Sequence, residues 1–445
     1  MLADYAARFP GKIIPARQEN RGGTAARNTG ARIARGDFLN FLDHDDLFLP
    51  EKIERQMMLF EAEPALGLVH CGFFQIDKDG RLIDIRNHLP EGDVLVHLVQ
   101  GCFLWSGAPL ISRKCIDHVG LFDENVWSSD AEMWLRIALA GYRFGCIQSP
   151  MGCYRILPDS GMAEVSRTEK GDISVMDRVF ADPRLPSEAF KKKDQAYFNE
   201  RSWLAFRYYA VGRAEDARRN FMEALSLKPL LMGDPQALLQ MIVSGILDLR
   251  VPDPVRHADY VLNHLPPEIT ALLQPHRESV ISRVYFILAM RSFGFGEIEQ
   301  AKRQISKSIQ LDPGLAGRTE DVANTVISYA TNGVISPMEF VGVVLGNLPF
   351  DTRSLNKLRV KILSEVAFCL ARREFWSGKR QDVPGLLWSA FRYRPSSLRN
   401  PRKLAQLVLS LPAFLAQKLK AVPTGNGNNR FALNFSSTID LVQRK

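Results

Sequence analysis

The sequence predicts an α/β domain over residues 1–165, an all-α region of helical repeats over 166–420, and a flexible tail over 421–445. Three observations carry that expectation. Short apolar runs alternate with helix-like segments in the first part, strand signals fade after about residue 166, and a helical pattern then returns at a fixed spacing. The composition, 46% hydrophobic and 24% charged, is that of a globular chain and excludes fibrous and disordered classes.

Taken in order, Asp37–Leu42 reads as a buried strand ending in acids, and Pro50 marks the start of a helix with Ile53, Met57 and Phe60 on its apolar face. Leu66–Asp77 is strand-like, and Asp79-Gly80 turns it back into a second strand over Arg81–Ile85. Asp130–Ala140 reads as a helix capped by Ser128 or Ser129 and stopped by Gly141.

Beyond residue 166 the pattern is of paired amphipathic helices around a glycine turn. Trp203-Leu204, Tyr208, Gly212, Ala217, Phe221, Ala224 and Pro229 form one copy, and Tyr285, Ala289, Gly296, Ala301, Ile305 and Pro313 a second. Phe368, Ala371, Gly378, Leu386, Ala390 and Pro395 form a third. The glycines are separated by 84 and 82 positions, so the expected unit is a block of about 83 residues built on a tetratricopeptide-like pair. Such a pair cannot bury its apolar face alone, so stacking creates the core, and the array is expected to offer a surface to a protein partner.

Charge divides the same way. Residues 1–165 hold 17 Lys+Arg against 22 Asp+Glu, and the remainder holds 40 against 27. No aromatic-basic pattern accompanies the positive excess, so a solvated helical surface is expected rather than a nucleic-acid partner. The six cysteines form no CxxC pair and are expected to be reduced thiols. No run of about 18 apolar residues is present, so no transmembrane segment is expected. MLADYAARFPGK lacks a signal peptide's layout, which points to the cytoplasm, with peripheral association at the inner membrane surface as the variant.

The densest chemistry is Asp43-His44-Asp45-Asp46 at the end of the first expected strand, the usual ligand position in open α/β sheets. Carboxylates there suit Mg²⁺ or Mn²⁺ with water and phosphate filling the remaining positions, although acids at a strand end also cap helices. An EF-hand is excluded, because Leu47 and Phe48 stand where a ligand and the turn glycine are needed. Upstream, the glycines and Arg and Asn donors of Asn20–Gly30 (NRGGTAARNTG) allow close approach to a sugar or a diphosphate.

These segments together resemble the family 2 glycosyltransferases of the GT-A fold. The resemblance rests on NRGGTAARNTG followed by GDFLNFLDHDD, on Gly120-Leu121-Phe122-Asp123-Glu124, on the segment Ser129–Arg136 (SDAEMWLR), and on Tyr154-Arg155. It implies a partial GT-A nucleotide-sugar transferase domain over residues 1–165 that moves a single sugar, with inversion, from a nucleotide-sugar donor to an acceptor hydroxyl. Polysaccharide biosynthesis is the expected setting, with a glycan, lipid-linked or protein acceptor. By position it implies Asp130 as general base, Asp43 and Asp45 as the DxD pair holding Mn²⁺ or Mg²⁺, and Asn20, Gly22, Arg27, Asn28, Asp43 and Arg155 on the donor. Asp46, Glu132 and Arg136 stand as supporting residues, with a helical Glu132–Arg136 ion pair as the alternative for the last two. Trp134 is expected in the core.

The chain departs from the family in two ways. The opening strands and Asp-Asp-Gly-Ser-x-Asp turn that hold base and ribose have no counterpart upstream of Asn20, and the Gln-x-x-Arg-Trp motif of processive synthases is missing. The first departure leaves an alternative expectation, a catalytically inactive remnant whose repeats act as a binding scaffold.

Overall fold

The computed structural model of the chain describes residues 2–87, 89–157, 164–332, 336–376 and 383–394. Helices α1 (Leu2–Arg8) and α2 (Gly22–Ile33) lead into β1 (Phe38–Asn40). Then follow β2 (Leu47–Phe48), α3 (Lys52–Ala62), β3 (Leu68–Ile76), β4 (Leu82–Arg86), α4 (Leu95–Leu98), β5 (Leu110–Ser112), α5 (Arg113–Val119), α6 (Ser129–Leu139) and β6 (Phe144–Arg155). The strands form one sheet in the order β1-β5-β3-β6-β2, with β4 also paired to β3. β3 runs parallel to β6, and the other strand pairs are antiparallel. β3 is buried at all but one of its nine positions, as a run of aromatic and branched residues between two neighbours should be.

Two register facts place the acidic loop. β2 pairs with the far end of β6, Leu47 opposite Cys153 and Phe48 opposite Gly152. Asp43–Asp46 therefore arrive beside Tyr154-Arg155, although more than a hundred positions separate them. The expected strand over 37–42 is shorter than its apolar run, because the chain leaves the sheet after Asn40.

Helix α3 corrects a second expectation. Its buried face is Lys52, Gln56 and Phe60, whereas Ile53 is exposed and Met57 half-buried. The polar residues are tolerated inside because they are satisfied. Lys52 Nζ donates to Gln56 Oε1 (2.9 Å) and lies 4.3 Å from the Phe48 ring centroid, while Gln56 Nε2 donates to the carbonyls of Val69 (2.6 Å) and Ala108 (2.9 Å).

The helical part runs through α7 (Val165–Ala181), α8 (Ser187–Phe190), α9 (Lys193–Ala210), α10 (Ala214–Leu227), α11 (Pro235–Ile246), α12 (Pro254–His264) and α13 (Pro267–Leu273). It continues with α14 (Arg277–Gly294), α15 (Ile298–Leu311), α16 (Thr319–Asn332), α17 (Pro337–Asn347), α18 (Thr352–Trp376) and α19 (Val383–Tyr393). Among the described residues no helix is long and apolar enough to cross a membrane. All six cysteines are free thiols.

The chain divides into two compact units, residues 1–289 with 303–313, and 290–302 with 314 onward. In the first unit, position 165 is not a break. Val175, Val179, Phe180, Ala189 and Ala196 are buried in one cluster with Leu68, Ile111, Trp134 and Phe144. The grammar changes at 166, but the apolar face of α7 must be buried somewhere, and the α/β layer takes it. A second cluster joins Leu204, Phe206, Tyr208 and Phe221 to Leu238, Ile242, Val261 and Val284. In the second unit Ala371, Val383 and Leu387 pack together.

Two of the helix pairs share local geometry at matching positions. Gly212 and Gly296 turn α9 into α10 and α14 into α15 with φ of +75° and +76°, a backbone that favours glycine. Pro229 and Pro313 open matching 3₁₀ turns. Ser282 Oγ donates to the Ser308 carbonyl (2.8 Å) in the first unit, and Ser364 Oγ to the Ala390 carbonyl (3.1 Å) in the second, 82 positions on. Gly378, Pro395, residues 395–420 and the tail over 421–445 lie outside the described residues.

Candidate functional site

Leaving β1, the chain is anchored by Asn40, whose Nδ2 donates to the carbonyls of Pro109 and Gly107, and then turns so that Asp46 N donates to the Asp43 carbonyl (3.2 Å). The three aspartates of this turn have different fates. Both Asp43 oxygens accept from one Arg27 nitrogen (2.7 and 2.8 Å), and Ser106 Oγ donates to Oδ2 (3.1 Å). Asp46 is 5% exposed and accepts from Trp105 Nε1 (2.6 Å) and the Arg155 amide (2.8 Å). Burial, with the charges of Asp45 and Asp43 adding to it, pushes Asp46 up to about 6 despite those hydrogen bonds. Asp45 is half-buried, and its carboxylate accepts no hydrogen bond from a described residue. It is the group of the three left open to a ligand.

Arg155 braces this turn. Its Nε donates to the Asp45 carbonyl (2.9 Å), and one terminal nitrogen donates to the carbonyls of Asp77 (2.9 Å) and Lys78 (3.3 Å). The resemblance puts Arg155 on the donor, but these bonds direct it at the backbone that carries Asp45.

Helix α2 forms the other wall. The Gly22 amide donates to Asn20 Oδ1 (3.1 Å), so both residues organise the helix start. Asn28 is 2% exposed and turned inward: its amide donates to the Phe122 carbonyl (2.9 Å) and Glu124 Oε1 (3.0 Å), and its oxygen accepts from the Phe122 amide (3.1 Å). Asn28 therefore docks the Gly120–Glu124 segment onto α2, where the resemblance puts it on the donor.

That docking carries α6 to the site. Thr24 Oγ1 and Ser129 Oγ are 2.8 Å apart, joining the starts of α2 and α6. Thr24 and Arg27 lie three residues apart on α2, about 4.5 Å along its axis. One helix therefore touches the neighbour of Asp130 through Thr24 and holds Asp43 through Arg27. Asp130 is half-buried in the first turn of α6, with Oδ1 accepting from the Ala131 amide (2.8 Å). Burial raises the Tyr154 phenol, Arg250 opposes the rise, and the carboxylates of Asp46 and Asp130 both add to it.

Glu132 and Arg136 stand apart as structural residues. They form the i,i+4 pair (2.8 Å), and Arg136 also donates to the carbonyls of Val119, Gly120 and Leu121 at the end of α5. Trp134 is fully buried, as expected. Sequence reasoning missed Trp105 and Ser106, which hold Asp46 and Asp43. Their segment, Gly101–Pro109, carries no periodicity that would have marked them. Among the described residues no group of three or more His, Cys, Asp or Glu side chains is placed to hold a metal ion.

Known proteins resemble this chain over the same region. Residues 1–98 match the family described as Glycosyl transferase family 2. An uncharacterized glycosyltransferase of Rickettsia conorii is 32% identical over 27% of this chain and 20% of its own length. An uncharacterized glycosyltransferase of Methanocaldococcus jannaschii is 23% identical over 35% of this chain and 54% of its own. The amylovoran biosynthesis glycosyltransferase AmsB of Erwinia amylovora is 22% identical over 35% and 54%. Among solved structures, a mannosyltransferase of Pyrobaculum calidifontis in complex with GDP-Man and Mn²⁺ has a TM-score of 0.35 and 14% identity, over 61% of this chain and 71% of that one. The chain spans between 18% and 54% of the length of the curated relatives it matches.

Proposed function

We propose that this chain transfers a single sugar from a nucleotide-sugar donor to an acceptor hydroxyl, with inversion, at the cleft between the Asp43–Asp46 turn and the start of α6. The observation that carries the reading is that α2 reaches both groups, with Arg27 holding Asp43 and Thr24 meeting Ser129, the neighbour of Asp130. The family match over residues 1–98 and the named glycosyltransferases among the relatives support the same chemistry.

In this reading Asp130 accepts the proton of the acceptor hydroxyl as its oxygen bonds to the anomeric carbon. The bond from that carbon to the diphosphate breaks on the opposite face, and its electron pair leaves with the nucleoside diphosphate. Asp45, whose carboxylate is open, would hold a divalent cation, with Asp43 beside it; the donor set of hard oxygens fits Mn²⁺ or Mg²⁺. That cation would neutralise charge on the leaving diphosphate. Arg27 orients Asp43 and lines the same wall, while Asn20 and Gly22 shape the helix start facing it. Arg155, through the Asp45 carbonyl, and Asp46, through Trp105, fix the turn. The acceptor is a glycan, a lipid-linked sugar or a protein, and polysaccharide biosynthesis is the setting we favour, beside the amylovoran biosynthesis named for the Erwinia amylovora relative. The tetratricopeptide-like helix pairs would present a surface to a partner, and the chain would work in the cytoplasm or at the inner membrane surface.

The test uses the full chain with Mn²⁺ and a panel of UDP- and GDP-sugars, reading nucleoside diphosphate release. Asp130→Asn should lower turnover at least a hundredfold, within the range for a general base, and Asp45→Ala should remove the Mn²⁺ dependence. Wild-type turnover in Asp130→Asn refutes the assignment. A second reading, a scaffold without transfer activity, draws on the closed ion pair between Arg27 and Asp43. It is favoured if the wild-type chain binds no nucleotide sugar in the presence of Mn²⁺.

A further inference from the structure

Three arginines of the α/β layer are bonded unequally. Arg136 donates to the carbonyls of Val119, Gly120 and Leu121 and to Glu132, and Arg155 to those of Asp45, Asp77 and Lys78. Neither can turn without breaking several bonds. Arg27 is bonded through one nitrogen: Nη2 donates to Asp43 Oδ1 (2.7 Å) and Oδ2 (2.8 Å), while Nε is buried and has no acceptor. A nitrogen shared between two oxygens lacks the paired parallel bonds of a guanidinium–carboxylate fork. A buried donor without an acceptor offsets part of what the contact gains. The pair is also partly open to water, with side-chain exposures of 22% for Arg27 and 38% for Asp43. It is therefore a contact that can be exchanged.

That contact decides how many carboxylates the acidic turn can offer. Asp46 accepts from Trp105 Nε1 and the Arg155 amide, and Asp43 from Arg27 and Ser106, which leaves Asp45. A lone carboxylate is a weak site for a divalent ion until phosphate oxygens join it. Asp43, two positions away, would supply a second carboxylate, but both of its oxygens accept from Arg27. A guanidinium and a divalent cation on one carboxylate repel each other, so Asp43 serves one of them at a time.

We propose that Arg27 is an internal counter-ion of Asp43 and competes with the divalent cation for it. This inference rests on the transfer-site reading and adds an opposing action to it: without a nucleotide sugar, Arg27 restrains cation binding instead of assisting it. Ser106, whose hydroxyl donates to Asp43 Oδ2 (3.1 Å), keeps the carboxylate in place through the exchange.

The test is calorimetric titration of Mn²⁺ alone into the full-length chain, without nucleotide. Arg27→Gln should bind Mn²⁺ about tenfold more tightly than wild type, the low end for a lost charge-assisted bond between partly exposed groups. Arg27→Lys, which keeps a charge and a donating nitrogen, should stay near wild type. Arg32→Gln removes another cation of α2, one that pairs with Glu124 (3.7 Å), and should change nothing. Asp45→Ala, alone or added to Arg27→Gln, should abolish the binding. Thermal melts identify a variant that does not fold, and Arg27→Met replaces Arg27→Gln in that case. If folded Arg27→Gln binds Mn²⁺ no more tightly than wild type while Asp45→Ala removes the binding, the competition is overturned and the transfer-site reading stands. An equal gain in Arg32→Gln also overturns it, because the effect is then one of general charge. If neither wild type nor Arg27→Gln binds Mn²⁺, or if binding survives Asp45→Ala, the site reading falls and this inference with it.

Discussion

A single methyl group at Gly152 should unseat the acidic turn. Gly152 lies on β6 opposite Phe48 of β2, and a Cβ built on it would stand 2.6 Å from the Trp105 ring and 2.8 Å from the Leu47 carbonyl oxygen. Ordinary contact begins at 3.4 Å, so the indole must retreat by about 0.8 Å or β2 must lift by a similar amount. Overpacking of this kind costs about 1–3 kcal/mol. Retreat of the indole also stretches the 2.6 Å bond from Trp105 Nε1 to Asp46 toward about 3.4 Å, the weak end of the hydrogen-bonding range. A bond to a carboxylate weakened this far gives up part of its about 1.5–3 kcal/mol. Gly152→Ala should therefore lose about 2–5 kcal/mol, a large share of a typical domain's stability.

The assay is urea unfolding followed by tryptophan fluorescence, with nucleoside diphosphate release measured alongside. Gly80→Ala is the comparison. Gly80 has φ +83° in the β3–β4 turn but nothing within 4 Å of its would-be Cβ, so only backbone strain of about 1–2 kcal/mol is expected there. A Gly152→Ala protein within about 0.5 kcal/mol of wild type would refute the claim that Trp105 and β2 clamp the turn from both sides.

Two pH predictions follow from buried charges outside the cleft. Burial lowers Lys52 to about 8 from 10.5, so the folded state holds its proton less tightly than the unfolded state. Stability should then rise with pH between about 8 and 10.5; relative to Lys52→Met, wild type should gain about 2 kcal/mol from pH 7 to 9.5 in urea unfolding, and a flat difference would overturn the buried-lysine account. Glu169 behaves in the opposite sense. Despite the upward push of burial, its bonds to Arg219 and Tyr208 and the charge of Arg201 hold it at about 2, below the ordinary 4.5. Its contribution should be present above pH 4.5 and lost as pH falls toward 2. Discounted for solvent screening, thermal melts should show an advantage of about 1–2 kcal/mol over Glu169→Gln at pH 6 that shrinks below pH 4.

Local chemistry makes part of this fold legible. Asp79-Gly80 between two apolar runs marks the β3–β4 hairpin, and the glycine spacing marks the turns at Gly212 and Gly296, because each signal acts within a few residues of itself. The buried face of α3 is not legible. Lys52, Gln56 and Phe60 have helical spacing, but apolar periodicity favours Ile53 and Met57, and only the carbonyls of Val69 and Ala108, far along the chain, make a buried glutamine acceptable. The acidic turn stands out by its strand-end position. The unequal roles of its three aspartates depend on Arg27, Ser106, Trp105 and Arg155, none of which announces its partner in the sequence.

The same reasoning explains why the change of grammar at residue 166 does not mark a boundary in space. Hydrophobic periodicity records which face of a helix is buried, not what buries it. Helix α7 reads like a helix of the repeats, yet Val175 and Val179 pack with strand and helix residues of the α/β layer. Once α7 is docked there, α9 is drawn to the same core through Ala196, while Leu204 and Phe206 further along it seat the next helices. A fragment ending at residue 165 would expose the surfaces that α7 and α9 cover. It should therefore misfold or aggregate where a chain through residue 313, the end of the first unit, stays soluble. Solubility and cooperative unfolding of the 1–165 fragment would show that the two grammars correspond to separable domains after all.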